Sequence, residues 1–232
     1  MEPAANDDPE HGWWLSWYGE PPENTRERIL FAAFCEVHLN GFQATSIQDI
    51  ITGAGVTKGA LYHYFGSKDE IGYALLDEVF TRYIDSTFIA PLGDTDDPVT
   101  TLTEHLLESG RQMQDQDVAL GCPLDHFAEE MAPISTDFQQ RIHALYQRKQ
   151  IALTAAFHRG QAAGNVTPHI SAESIALFFQ ATLQGCMGLA KNARSLDTLI
   201  QCGECLLHYL EQLRPENNPV PPKPINLDLE RN

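Results

Sequence analysis

Between residues 24 and 70, apolar side chains recur every three or four positions in short consecutive runs, which is the spacing of one face of an α-helix. The first run begins at Asn24, which has the spacing of a capping box with Glu27. Its apolar stripe is Leu30, Phe34 and Val37. Because Gly41 follows Asn40 where the stripe stops, we expect the first helix to end there, with Phe42 folding back onto it.

Two further helices separated by a tight turn are predicted next. The inward positions are Ile47, Ile50, Ile51 and Ala54 in one helix and Ala60, Leu61 and Tyr64 in the other. Thr45 or Ser46 can cap the first of them, and Gly55 suits a left-handed turn residue. Thr57 can cap the second helix, whose outer face is small and polar: Thr57, Lys58, Gly59, Tyr62 and His63. The pattern therefore predicts a helix-turn-helix whose last helix enters the major groove of DNA, where Lys58 can reach a guanine edge or a phosphate.

The remainder of the chain has a helical pattern without alternating strands, which predicts an all-α fold. Ser67 and Glu70 have the spacing to cap a long helix that runs to about Ala90, and the acidic stretch from Pro91 to Pro98 is predicted to be a linker. Further helices are expected near 98–115, 122–131, 136–163, 171–192 and 195–213.

Four regions follow from these patterns. They are an acidic, tryptophan-rich segment 1–22, a helix-turn-helix DNA-binding domain 23–68, a larger helical domain 69–213, and a proline-rich tail 214–232 predicted to be disordered. The first segment contains Trp13, Trp14, Trp17 and Tyr18. These aromatics either pack on the protein's own surface or form a partner-binding or lid segment.

Charge and cysteine content narrow the function. The chain of 232 residues has a net charge of −17, yet the charges within 23–68 sum to zero. We therefore expect specific contacts in a dimer to carry DNA binding, with little non-specific affinity and a marked loss at high salt. Five cysteines, an odd number, suit reduced thiols in a cytoplasm, and no membrane span or signal peptide is indicated.

The stretches TRERILFAAFCEVHLNGFQATSIQDI and GVTKGALYHYFGSKDEI together resemble the N-terminal domain of TetR-family transcriptional regulators. The resemblance implies a homodimeric repressor that a small-molecule effector releases from a palindromic operator. It further implies phosphate contacts by Thr45, Tyr62, Tyr64 and Lys68, and groove-facing positions at Thr57, Lys58, Gly59 and His63. Core packing is the alternative for Tyr64 and Phe65.

The same resemblance implies a four-helix dimer interface formed by the helices near 171–192 and 195–213. Their apolar positions are Ile175, Phe178, Phe179, Leu183 and Leu189 in one helix and Leu196, Leu199, Leu206, Leu210 and Leu213 in the other. Gly185, Gly188 and Gly203 would permit close helix approach. The alternative is that these two helices only bury each other within one monomer.

The stretch GCPLDHFAEEMAPISTDF resembles a sub-group that includes electrophile-sensing repressors. That resemblance implies a switch made of Cys122 and Lys191. A helix N-terminus at Cys122 would lower the thiol pKa and favour attack on soft electrophiles. In the alternative, Cys122 is a small buried hydrophobe and Lys191 a solvated helix end.

If the effector binds without reaction, we expect an apolar pocket with a few polar groups, suited to an apolar or electrophilic molecule. Its predicted lining is Phe88, His105, Met113, His126, Phe127, Met131 and Tyr146.

Other function classes are less well supported by the sequence. Cys202, Cys205 and His208 are residue types that bind zinc. On a helix, however, their side chains spread over about 120°, which is awkward for a single ion, so packing of this helix in the dimer is the preferred interpretation. An enzyme using His126, Glu129 and Glu130 lacks a Glu-x-x-His ligand pair. Neither a cofactor nor a metal is predicted, and a ligand-binding module with little DNA affinity is the third alternative.

Overall fold

The structure, a computed structural model, describes residue 18 and residues 21–215, and every regular element in that part of the chain is a helix. The predicted all-α class is thus confirmed. The helices are α1 (Thr25–Asn40), α2 (Ile47–Ala54), α3 (Lys58–Tyr64), α4 (Lys68–Gly93), α5 (Pro98–Gln112), α6 (Asp115–Leu120), α7 (Pro123–Met131), α8 (Thr136–Ala163), α9 (Ala172–Ala193) and α10 (Leu196–Gln212). Trp13, Trp14, Trp17 and the tail beyond residue 215 lie outside the described residues.

Local caps define the first three helices as the sequence predicts. Asn24 caps α1, Ser46 caps α2 and Thr57 caps α3, each by accepting a hydrogen bond from the backbone N–H three residues later. Gly55, with φ 62° and ψ 38°, makes the left-handed turn between α2 and α3. The buried centre of this unit includes Leu30, Phe34, Ile50, Ile51 and Leu61.

Helix α4 is longer than predicted, because it continues through Pro91 to Gly93 instead of ending near Ala90. Its α-helical segments Lys68–Ala74, Thr81–Ile84 and Ala90–Gly93 are joined by wider π-helical turns, Leu75–Phe80 and Asp85–Ile89. Pro91 follows the second π-helical turn directly, so this residue without an N–H lies where the regular α-helical hydrogen bonding is already interrupted. The predicted linker is therefore confined to residues 94–97.

The predicted helix 98–115 is instead α5 followed by the short helix α6, which the sequence analysis missed. Met113 is extended, with ψ 143°, and so ends α5. Gln114 and Asp117 then form a reciprocal capping box that starts α6. Gly121, at φ 77°, ends α6 and leads directly into α7. No helix within the described residues is both long and apolar enough to traverse a membrane.

Aromatic packing joins the N-terminal unit to the remaining helices. The Phe42 ring lies 5.2 Å from the rings of Phe127 and Phe138, measured between centroids. Gly72 of α4 lies against the same cluster. A Cβ atom at Gly72 would come within 2.7 Å of Phe42 and 2.8 Å of Phe138, so only glycine permits this close approach.

We expect Gly72→Ala to destabilise the fold by about 1–3 kcal/mol, because the added methyl group overpacks the aromatic cluster. The matched control is Gly110→Ala in α5, where an added Cβ would meet nothing within 4 Å. That control should be neutral or more stable by up to about 1 kcal/mol. Urea unfolding at one fixed protein concentration measures both changes; equal effects at the two positions would contradict the packing argument.

Candidate functional site

The exposed face of α3 carries the residues that the sequence assigned to DNA. Thr57, Lys58, Gly59 and His63 are exposed, and we call this surface, together with Tyr62 and Tyr64, the reading face. Tyr62 and Tyr64 are 45% and 42% exposed, whereas Leu61 is fully buried. The inward position predicted for Tyr64 is therefore wrong, and Phe65, at 3% exposure, takes the core position.

Thr45 and Lys68 support the loop before α2. Thr45 is 2% exposed, and its hydroxyl donates to the Gly41 carbonyl over 2.8 Å. The Lys68 ammonium donates to the carbonyls of Phe42, Gln43 and Thr45 at 3.0–3.1 Å. These contacts hold both polar groups against the backbone in the DNA-free chain. Phosphate contact by either residue stays a prediction.

Residues 41–45, which we call the junction loop, are also held from the opposite side by Glu130 of α7. The Glu130 carboxylate accepts hydrogen bonds from the N–H groups of Phe42 (2.6 Å) and Gln43 (2.8 Å). Hydrogen bonds to an ionised acceptor are among the stronger ones in proteins. Gly41 is required beside this contact, because it has φ 86° and a Cβ there would lie 3.2 Å from the carboxylate.

A cavity of about 400 Å³ lies at the other end of α7, among α4, α5, α8, α9 and α10, with mostly apolar walls. Of the predicted lining residues it contains Phe88, His105, Met113 and Tyr146, and the predicted switch residue Cys122 lines it as well. A smaller cavity of about 210 Å³ beside it contains His126 and Lys191, and again Cys122 and Tyr146.

Phe127 and Met131 line neither of these two cavities, so their predicted place in the pocket is wrong. They are 1% and 4% exposed, and Phe127 packs on Phe42, Phe80 and Phe138 in the core. A helix turns by about 100° per residue, which directs Phe127 away from the face that carries Cys122 and Asp125.

The polar groups of the larger cavity were mostly missed by the sequence analysis. Asp125 accepts hydrogen bonds from the Tyr146 hydroxyl (2.6 Å) and the Gln184 side-chain amide (3.0 Å). Lys149 places its ammonium nitrogen 3.8 Å from the centroid of the Phe88 ring. Asp125 could have been found, since it lies on the Cys122 face of α7. A lone lysine or glutamine within a long helix gives no comparable signal.

Burial determines the protonation of two groups in this cavity. Desolvation lowers the pKa of Lys149 to about 8. It also lowers the pKa of His105 to about 4, with a smaller contribution from the charge of Lys149. At neutral pH, Lys149 is therefore mostly a cation and His105 is a neutral imidazole.

Cys122 caps α7 as predicted, but its pKa shifts in the opposite direction. Its sulfur accepts a long hydrogen bond from the Asp125 N–H (3.5 Å). Burial, followed by the charge of Asp125, raises the thiol pKa well above its ordinary value. The helix N-terminus is therefore outweighed by desolvation, and the predicted lowering is wrong.

Lys149, rather than Lys191, is the cation that acts on the Cys122 thiol. The aliphatic stem of Lys191 packs on Gly121, where a Cβ would lie 2.8 Å from the lysine Cδ. The charge of Lys191 instead contributes, after burial, to the lowered pKa of His126. The predicted pair thus shares the smaller cavity without the expected electrostatic activation.

The alternative metal and acid–base sites find no support in the described geometry. No group of three or more histidine, cysteine, aspartate or glutamate side chains in the described ranges is placed to hold a metal ion. His208 Nδ1 instead lies 2.8 Å from the Glu204 carbonyl oxygen in its own helix. Glu130, a candidate acid–base group, is engaged by the junction loop.

Helices α9 and α10 divide their apolar residues between the monomer core and the surface. Five predicted interface residues are buried within the chain: Ile175, Phe179, Leu206, Leu210 and Leu213. Four others on these helices are about half exposed or more: Leu177, Phe178, Leu189 and Ile200. Gly185 and Gly188 have open space beside them. Burial within the monomer thus applies to the first five residues, and dimer contact by these helices stays a prediction.

Two family models match the chain over separate segments. Residues 29–75 match "Bacterial regulatory proteins, tetR family", and residues 98–205 match "Transcriptional regulator LmrA/YxaF-like, C-terminal domain". The first match covers the helix-turn-helix and the start of α4. The second match covers helices α5 to α9 and most of α10, which include most of the walls of the two cavities.

Individual relatives are similar to this chain over most of its length. The transcriptional repressor ComR of Escherichia coli is 22% identical over 84% of this chain and 93% of its own length. The regulator AcuR of Cereibacter sphaeroides is 27% identical over 75% and 80%, respectively. The reduced form of E. coli NemR shares the fold, with a TM-score of 0.70 and 21% identity over 82% of this chain and 97% of NemR.

We expect Cys122 to react slowly with iodoacetamide near pH 7, because alkylation requires the thiolate and burial suppresses it. Its rate should keep rising with pH beyond 9, following the raised pKa. Peptide mapping by mass spectrometry measures this rate beside that of the exposed Cys205 in the same sample. Labelling of Cys122 at pH 7 as fast as Cys205 would restore the activated-thiol hypothesis.

Proposed function

The chain belongs to the TetR family of bacterial regulatory proteins, and from that membership we propose that it is a homodimeric repressor whose operator affinity is controlled by a ligand in the larger cavity. The observation that carries this proposal is the Glu130 contact. It joins α7, which begins at the cavity, to the junction loop, which precedes the helix-turn-helix. Relatives in the family are regulators, not enzymes.

For DNA contact we propose the six residues of the reading face. Lys58 supplies its principal free charge, since its ammonium has only the Tyr62 ring nearby, at 5.8 Å, within the described chain. Arg26 is unavailable for this purpose, because it forms an ion pair with Glu78. The neutral balance of residues 23–68 then favours few phosphate contacts and a reliance on groove contacts by the small and aromatic side chains.

For assembly we propose that α9 and α10 pair with the same helices of a second chain. The exposed Leu177, Phe178 and Leu189 support this, because large apolar groups grouped on one helix commonly mark a protein contact. Two copies place two reading faces at the spacing of a palindromic operator, about 34–36 Å or a multiple of it. We retain residues 23–68 and 69–213 as the functional division of the chain.

For regulation we propose that a ligand in the larger cavity displaces α7 and thereby weakens the hydrogen bonds between Glu130 and the junction loop. Asp125 begins this path, since it bonds Tyr146 and Gln184 on the cavity wall. Glu130 ends this path five residues later on the same helix. Linkage then requires the ligand to prefer the released form by the same factor by which it weakens operator binding.

A covalent version at Cys122 is the second candidate, favoured by the presence of this thiol in both cavities. Its raised pKa argues against fast attack on electrophiles, so reversible binding is the mechanism we propose first.

Lys58→Ala should weaken binding to the DNA that flanks the chain's own gene by roughly tenfold, because a groove or phosphate contact is lost from each protomer. If the contact is to phosphate, the slope of log affinity against log salt should fall by about two per dimer. Titration of labelled DNA at several salt concentrations measures both. Arg148→Ala, which removes an equal charge from the exposed side of α8, is the control. Equal losses in the two variants would contradict the assignment of the reading face.

Glu130→Ala should lower operator affinity by roughly tenfold, since two N–H groups of the junction loop lose a charged acceptor worth about 1.5–3 kcal/mol. Glu129→Ala, its exposed neighbour on α7, should leave operator affinity near that of the unmodified chain. The same DNA titration compares them, with thermal unfolding as a check that both variants are folded. An unchanged affinity in folded Glu130→Ala would remove the coupling from the proposal.

A further inference from the structure

The larger cavity contains one lysine, Lys149, whose ammonium has no direct polar partner within the described residues. Lys149 lines the cavity, and within the part of the chain that the structure describes its ammonium forms no hydrogen bond or ion pair. Its nearest described partner is the face of the Phe88 ring, with the nitrogen 3.8 Å from the centroid. A cation held in mostly apolar surroundings is unfavourable unless it is paired, and a ring face compensates only part of that cost.

The other polar groups inside the cavity have partners or carry no charge, whereas Glu204 is an exposed carboxylate in its lining. The Asp125 carboxylate accepts hydrogen bonds from Tyr146 and Gln184, and the backbone N–H of Asp125 donates to the Cys122 sulfur. His105 is neutral, because burial lowers its pKa to about 4. At the rim, Arg111 is exposed and pairs with Glu108. The Asp125 charge acts on Lys149 only through space, so within the described residues Lys149 remains the inner charged group of the cavity without a hydrogen-bond or ion-pair partner.

We infer that the effector is an apolar molecule with one anionic group, and that Lys149 binds this group. The inference rests on the proposed function for its regulatory meaning. The apolar body would occupy the space bounded by Phe88, Leu183 and Met187, among others. A volume of about 400 Å³ is within the range of small-molecule sites.

The neighbouring groups restrict the charge of the ligand to about −1. His105 packs by its edge on the same Phe88 ring, with centroids 5.2 Å apart, and lines the cavity as a neutral imidazole able to donate one hydrogen bond. Asp125 lies in the same cavity as a carboxylate, and its charge would repel a second negative group. A monoanion satisfies Lys149 without creating a new unpaired charge.

Two fluorescent probes with the same apolar body test this inference. The anion 8-anilinonaphthalene-1-sulfonate carries one sulfonate, and N-phenyl-1-naphthylamine is the same framework without it. We expect the full-length protein to bind the anionic probe, and Lys149→Met to weaken that binding tenfold or more. The neutral probe should bind Lys149→Met as well as before or more tightly, because the substitution only removes a buried charge. Lys149→Arg should keep most of the affinity for the anionic probe.

Lys191→Met is the matched control, since that lysine lines the smaller cavity and not the larger one. It should leave the affinities of both probes unchanged. An equal loss of both probes in Lys149→Met, or no loss of the anionic one, would overturn the inference. Operator binding is measured separately on the same variants without probe. Failure to bind the operator would count against the proposed function alone, while the difference between the probes would still decide the ligand class.

Discussion

The Glu130 carboxylate bound to the N–H groups of Phe42 and Gln43 is the interaction on which the regulatory account depends. The junction loop has its N–H groups held by α7 and its carbonyls held by the Lys68 ammonium at the start of α4. Four helices therefore end or begin at one small region: α1, α2, α4 and α7. Because both sets of backbone groups are satisfied by charged side chains, a shift of α7 changes the position of α2 and, through the Gly55 turn, of α3.

Close packing makes this junction responsive to small movements. Phe42 lies among Phe127 and Phe138, and Gly72 admits no additional atom beside them. A tightly packed cluster does not absorb a displacement by compressing, so movement of α7 is passed to the loop. The cavity at the N-terminal end of α7 is where a ligand can produce that movement, and Lys149 gives the cavity a preference for one negative charge.

Features set by adjacent residues were predictable from the sequence, and features set by distant contacts were not. Ser46, Gly55 and Thr57 define the helix-turn-helix through local capping and a left-handed turn, so the turn and the start of the last helix were predicted correctly. The position of Cys122 at a helix N-terminus was predictable for the same reason. Its raised pKa was not, since burial among residues far away in sequence outweighs the local helix end. The contact of Glu130 with Phe42 and Gln43 is also set by tertiary structure, since these residues precede Glu130 by 88 and 87 positions.

Hydrogen exchange at the Phe42 and Gln43 amides, measured with and without a ligand in the cavity, tests the coupling most directly. With 8-anilinonaphthalene-1-sulfonate bound, the account predicts faster exchange at both amides, because displacement of α7 weakens the Glu130 contact. The same probe should cause no further acceleration in Glu130→Ala, where the contact is already absent. Unchanged exchange in the unmodified chain while the probe occupies the cavity would contradict the proposed link between the cavity and the helix-turn-helix.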